Sequence, residues 1–137
     1  MARWFAGAAA DAEHLDPALL EGRTRRHVAL GRQAVARGQL KDGPRAAWRA
    51  QSIEMLTTYD VLMLPVLARP PLEAKRWGDN NWATNLAVNT GYAPFAAAWN
   101  LAGFPAMSVP AGVHPEAGTP MSVQLVARPG RESLLLS

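Results

Sequence analysis

Asn100-Leu-Ala-Gly-Phe-Pro-Ala-Met-Ser-Val-Pro-Ala-Gly112 is the stretch on which the reading of this chain turns. An Ala-rich, helix-compatible run enters it, and Gly103 and Pro105 bend the backbone from helix into strand. Ala106-Met-Ser-Val109 then reads as a short strand that Pro110-Ala-Gly112 ends. A link containing Gly112, Pro115, Gly118 and Pro120 leads to a second strand, Met121-Ser-Val-Gln-Leu-Val126. Gln124 lies mid-strand, where its amide needs a partner. After Pro129-Gly130, residues Arg131-Glu-Ser-Leu-Leu-Leu136 begin a helix that stops within two turns.

Upstream, the pattern is helical first and extended later. Asp16-Pro17 reads as a helix start, with the helix running to Arg37-Gly38. Gly43-Pro44 opens a second helix, in which Trp48, Ser52, Met55, Leu56 and Tyr59 share one buried stripe. Val61-Leu-Met-Leu64 is a continuous apolar run between Asp60 and Pro65, and reads as a strand buried on both faces. Pro65, Pro70 and Pro71 keep residues 65–82 irregular. Residues 83–101 read as helical, with interruptions at Gly91 and Pro94. The first ten residues read as the start of a helical segment, not a targeting signal.

The chain has 137 residues, of which 18% are charged, below the roughly 25% usual for soluble domains. It has less polar surface than a free-standing domain needs, so it reads as part of something larger. With no cysteine, thiol catalysis and cysteine-ligated metals are excluded. No apolar run approaches the roughly 18 residues of a membrane helix, so no membrane partner is expected. Residues 23–49 carry eight basic groups against Asp42 alone. That density could mark a nucleic-acid face. However, Arg23, Arg26 and Arg37 fall on one side of a helix and Leu20, Val28, Gly31 and Val35 on another, and only Trp48 could stack on a base. A solvated or internally paired helix face is the better reading, and no nucleic-acid partner is expected.

No complete catalytic machine is visible. None of the five serines lies in G-x-S-x-G or S-x-x-K, and Ser108 reads as a structural hydroxyl in a strand. His14, His27 and His114 have no ligand spacing, so no metal is expected. The glycines form no phosphate cradle, and no cofactor is expected. Lys41 and Lys75 lie in polar, turn-like settings unsuited to a lowered pKa. One segment stands out. Six of ten aromatic residues (Trp77, Trp82, Tyr92, Phe95, Trp99 and Phe104) and all five asparagines cluster in residues 77–104. Flat rings with a few amides suit a ligand wall; equally, large rings pack cores and asparagines cap turns.

Three ordered blocks resemble the C-terminal part of the amidase signature family: Tyr59-Asp-Val-Leu-Met-Leu-Pro65, Asn100 to Gly112, and Thr119-Pro-Met-Ser-Val-Gln-Leu-Val-Ala-Arg-Pro-Gly-Arg-Glu132. Upstream, Leu20-Glu-Gly-Arg-Thr-Arg-Arg-His-Val-Ala-Leu-Gly-Arg32 resembles a family helix. The resemblance implies an α/β fold with a mixed β-sheet flanked by helices, here an incomplete C-terminal part of the amidase signature fold. Residues 1–137 would be one partial amidase domain: helical over 10–58, with the strand, the aromatic and Asn-rich segment and the terminal strands over 60–137. The family hydrolyses carboxamides through a Lys, cis-Ser, Ser triad that lies in its N-terminal two-thirds. No catalytic residue is therefore carried over, and the chain alone is expected to be inactive. Glutamine-using members place an Asp at a position that, aligned on Asn100, falls near Ala93 in this chain, which points to a general or small-carboxamide amidase. Trp82, Thr90, Tyr92 and Phe95 are then the expected substrate-side wall. The implied partners are a small carboxamide in the full-length enzyme and either a second copy of the chain or the missing N-terminal part. The implied location is cytoplasmic. The alternatives are a non-catalytic interaction module derived from an amidase, and a basic nucleic-acid binder.

Overall fold

The computed structural model describes all residues from Met1 to Ser137. The chain divides into two compact units, Met1–Pro44 and Arg45–Ser137.

The first unit is built on α1 (Ala2–Asp11) and α2 (Gly22–Ala36). Asp16 caps only a 3₁₀ turn over Pro17–Leu19, accepting from the Ala18 amide at 2.9 Å. The expected helix start there is thus corrected to Gly22. Leu20 and Glu21 are extended between the two elements, and the turn is too short to continue into α2. Gly38, at φ +61°, ends the segment as expected. The inner face of α2 is Val28, Gly31 and Ala34, not Val35, which is 54% exposed. Small residues win that face because α1 approaches closely. A Cβ placed on Gly31 would lie 2.0 Å from the carbonyl oxygen of Phe5. Ala9, Ala12 and Val28 form a small core with Leu20 packed against it. Trp4 and Phe5 pack in tilted contact with His27, with ring centroids 4.7 and 5.4 Å away.

The second unit holds most of α3 (Asp42–Thr58), then β1 (Val61–Pro65), α4 (Trp82–Tyr92), α5 (Ala96–Ala102), β2 (Ala106–Val113), β3 (Pro120–Ala127) and α6 (Glu132–Leu135). The chain is of α/β type, as expected, and its three strands form one wholly antiparallel sheet in the order β1-β3-β2. The predicted interruption at Pro94 separates α4 from α5. Pro110 does not end its strand. β2 continues to Val113 across a register shift between Pro110 and Val113, where the missing proline N–H is accommodated.

Side chains opposite one another across the sheet share a face. Leu62, Val126 and Ala106 form one row on the inner face, and Leu64, Gln124 and Ser108 the next. This face meets Leu56 of α3, Trp99 and Ala102 of α5, and Phe104, with Val126 wholly buried at 0% exposure. The helix stripe holds at Ser52 and Leu56, but Tyr59 is exposed because it lies past the end of α3. Strand β1 is not buried on both faces. It pairs with β3 alone, and Met63 on its other face is 66% exposed.

Candidate functional site

The chain's longest-range side-chain hydrogen bonds converge on the end of α5, immediately before the Gly103–Pro105 bend. A helix leaves its last carbonyls without internal partners and carries partial negative charge there. Two arginines of α3 meet that need, and a tryptophan between them adds a bond one turn back. Arg45 Nε donates to the Leu101 carbonyl at 2.7 Å, and Trp48 Nε1 donates to the Ala98 carbonyl at 3.2 Å. Arg49 donates to the Ala102 carbonyl, and its guanidinium lies 5.5 Å from the Phe104 ring centroid. Gly103, at φ +70°, turns the chain out of the helix beneath Arg49. Trp48 also packs on Trp99, at 5.2 Å between centroids, and Trp99 on Phe104, at 5.7 Å. Two residues of the basic stretch thus act inside the fold, and their i, i+4 spacing is the sequence signal for it.

The expected wall residues Trp82, Thr90 and Tyr92 lie on α4, and Phe95 lies just before α5. Trp82, Tyr92 and Phe95 are half-buried, whereas Thr90 is exposed. At 100° per residue, Thr90 and Tyr92 project about 200° apart around the helix. The Thr90 hydroxyl donates to its own helix, at 2.8 Å from the Leu86 carbonyl and 3.1 Å from that of Ala87. The neighbouring asparagines act structurally. Asn81 caps α4 through the Thr84 amide at 2.8 Å, Asn80 donates to Asn85 at 3.2 Å, and Asn85 donates to the Trp77 carbonyl at 2.8 Å.

Ser108 faces the inner side of β2 opposite Gln124, and its exposed hydroxyl has no hydrogen-bonding base. His114 folds into the β2–β3 link, where Nδ1 accepts from the amides of Glu116 at 3.3 Å and Ala117 at 3.1 Å. A concavity lies elsewhere in the second unit. It is a cleft of about 340 Å³ lined by Leu56, Thr57, Asp60, Arg128, Pro129 and Arg131. Sequence reading passed over it, although paired arginines flanking Pro129-Gly130 were a visible sign.

An apolar strand, a helix bent into a second strand, and a third strand that pairs between the two and leads to a short helix make up the α/β scaffold. Residues 10–136 match the family described as Amidase, and the chain belongs to it. AmiB2 of Mycobacterium bovis, which carries an amidase assignment, is 32% identical over 98% of this chain and 29% of its own length. AmiA2 of Mycobacterium tuberculosis, with the same assignment, is 32% identical over all of this chain and 28% of its own. The chain therefore spans under a third of the curated relatives it matches. The structure of 6-aminohexanoate cyclic dimer hydrolase superposes with a TM-score of 0.68 at 23% identity, covering 96% of this chain and 31% of that one, which establishes the shared fold.

Proposed function

We propose that this chain is the C-terminal scaffold portion of an amidase that cleaves carboxamide C–N bonds, and that it contributes structure and substrate-pocket wall, not the reacting groups. The observation that carries the reading is the junction of α5 and β2. The segment that resembles the family most specifically is the one that α3 fastens with three side chains and that leads directly into the sheet. The implied chemistry uses a Lys, cis-Ser, Ser relay. The lysine, through the bridging serine, takes the nucleophile's proton, the nucleophilic serine attacks the carbonyl, and water cleaves the acyl-enzyme. No residue here matches those positions. Lys41 and Lys75 are exposed, and the Ser108 hydroxyl has no base beside it. The substrate we infer is a small carboxamide, and the location cytoplasmic. Completion of the site would come from the remaining part of the fold or from a second copy of the chain.

The purified chain should release no ammonia from simple carboxamides. Turnover that Ser108→Ala abolishes would overturn the scaffold reading. A second reading, an interaction module derived from an amidase, is favoured by the apolar outer face of the sheet at Met63 and Met107. An adjoining reading frame encoding a Gly/Ser-rich segment with a lysine would decide for the amidase.

A further inference from the structure

We infer that the cleft between the end of α3 and the β3–α6 turn binds a small oxyanion, a carboxylate or a phosphate. The turn is Arg128-Pro129-Gly130-Arg131, closed by the Arg131 amide donating to the Arg128 carbonyl at 3.0 Å. Proline at the second position and Gly130 at φ +84° make it a type II turn. Such a turn holds its first and fourth residues within about 7 Å of each other. Both flanking positions are arginines, and both line the cleft.

Neither guanidinium is ion-paired or hydrogen-bonded within the chain. The nearest acid in sequence, Glu132, accepts instead from the Gly130 amide at 3.3 Å, so it braces the turn. Asp60 is the one carboxylate lining the cleft, against two guanidinium groups. The lining therefore carries a formal charge of +1, with two planar forks on one hydrogen-bonded turn and the buried Leu56 among the lining residues. Planar forks match carboxylate and phosphate oxygens in bidentate geometry. The carbonyls at the end of α3 weigh the other way, and arginines serving only that helix end would be the competing explanation.

Titration of the full chain with inorganic phosphate and, separately, with acetate, followed by NMR of the backbone and the arginine Nε groups, tests the site. Saturable shifts confined to Asp60 and residues 128–131 are expected. Phosphate alone producing them identifies a phosphoryl ligand, whereas acetate producing them identifies a carboxylate. Arg128→Gln or Arg131→Gln should weaken binding about fivefold, the upper end for an exposed ion pair. Arg128→Lys should weaken it as well, through loss of the fork, while Asp60→Asn should tighten it. Shifts that never saturate, or that spread equally over the arginines of α2, would overturn the site. So would glutamine variants that lower the melting temperature but leave the binding midpoint unchanged, since the arginines would then serve only the helix end.

Discussion

Gly31 on α2 and Phe5 on α1 are in backbone contact: a Cβ at Gly31 would sit 2.0 Å from the Phe5 carbonyl oxygen and 2.9 Å from the Ala9 Cβ. The first unit's small core depends on that approach, because its other members are alanines and one valine.

Gly31→Ala should therefore destabilise the chain by about 1–3 kcal/mol, the usual cost of overpacking. The clash with backbone outweighs the ~1 kcal/mol that alanine gains in helix propensity. Gly7→Ala, in the exposed interior of α1 with nothing within 4 Å, should stabilise by about 0.5–1 kcal/mol. Thermal melts of the two variants should move in opposite directions. Equal shifts would mean that the helices do not pack at Gly31.

Arg49→Met keeps the aliphatic stem but leaves the Ala102 carbonyl without its charged donor. A loss of about 1.5–3 kcal/mol is expected from a part-buried bond to a charged group. Arg45→Met should cost under about 1 kcal/mol, because its bond to Leu101 is exposed. Urea midpoints that rank the two variants the other way would contradict the bracket at α5.

Ser52 is 2% exposed and its hydroxyl has no hydrogen-bond partner. Removal of an unsatisfied buried hydroxyl from a helix favours the fold twice, through desolvation and through propensity. Ser52→Ala should raise stability by about 0.5–1 kcal/mol in denaturant titrations. A loss of stability would show that the hydroxyl has a partner in solution.

Met63, Leu125 and Met107 lie in one row on the sheet's outer face, and Met63 is 66% exposed. A patch of that kind binds hydrophobic dyes and promotes association. Met63→Glu should reduce dye fluorescence while changing stability by less than about 0.5 kcal/mol. A monodisperse wild-type chain that binds no dye would count against an unpartnered face.

Local chemistry explains which elements were legible. Pro94, Gly103, Pro105 and the turn at Pro129-Gly130 punctuate the backbone whatever surrounds them, so the break between α4 and α5, the start of β2 and the start of α6 fall where their sequence places them. The start of α2 was misread because Asp16-Pro17 satisfies a cap for a 3₁₀ turn as well as for a helix. The expected wall of Trp82, Thr90, Tyr92 and Phe95 rests on the family resemblance and on residue type. Residue type does not record that Thr90 and Tyr92 leave α4 in different directions.

By itself, the sequence determined the order and kind of the elements, the family, and the bend that joins α5 to β2, because each depends on residues within a few positions of one another. Tertiary structure alone decided that Ala34 and not Val35 faces inward, that β1 is an edge strand with Met63 exposed, and that Arg49 reaches Ala102, 53 positions away. These outcomes depend on which surfaces meet, and spacing within one segment does not name its distant partner.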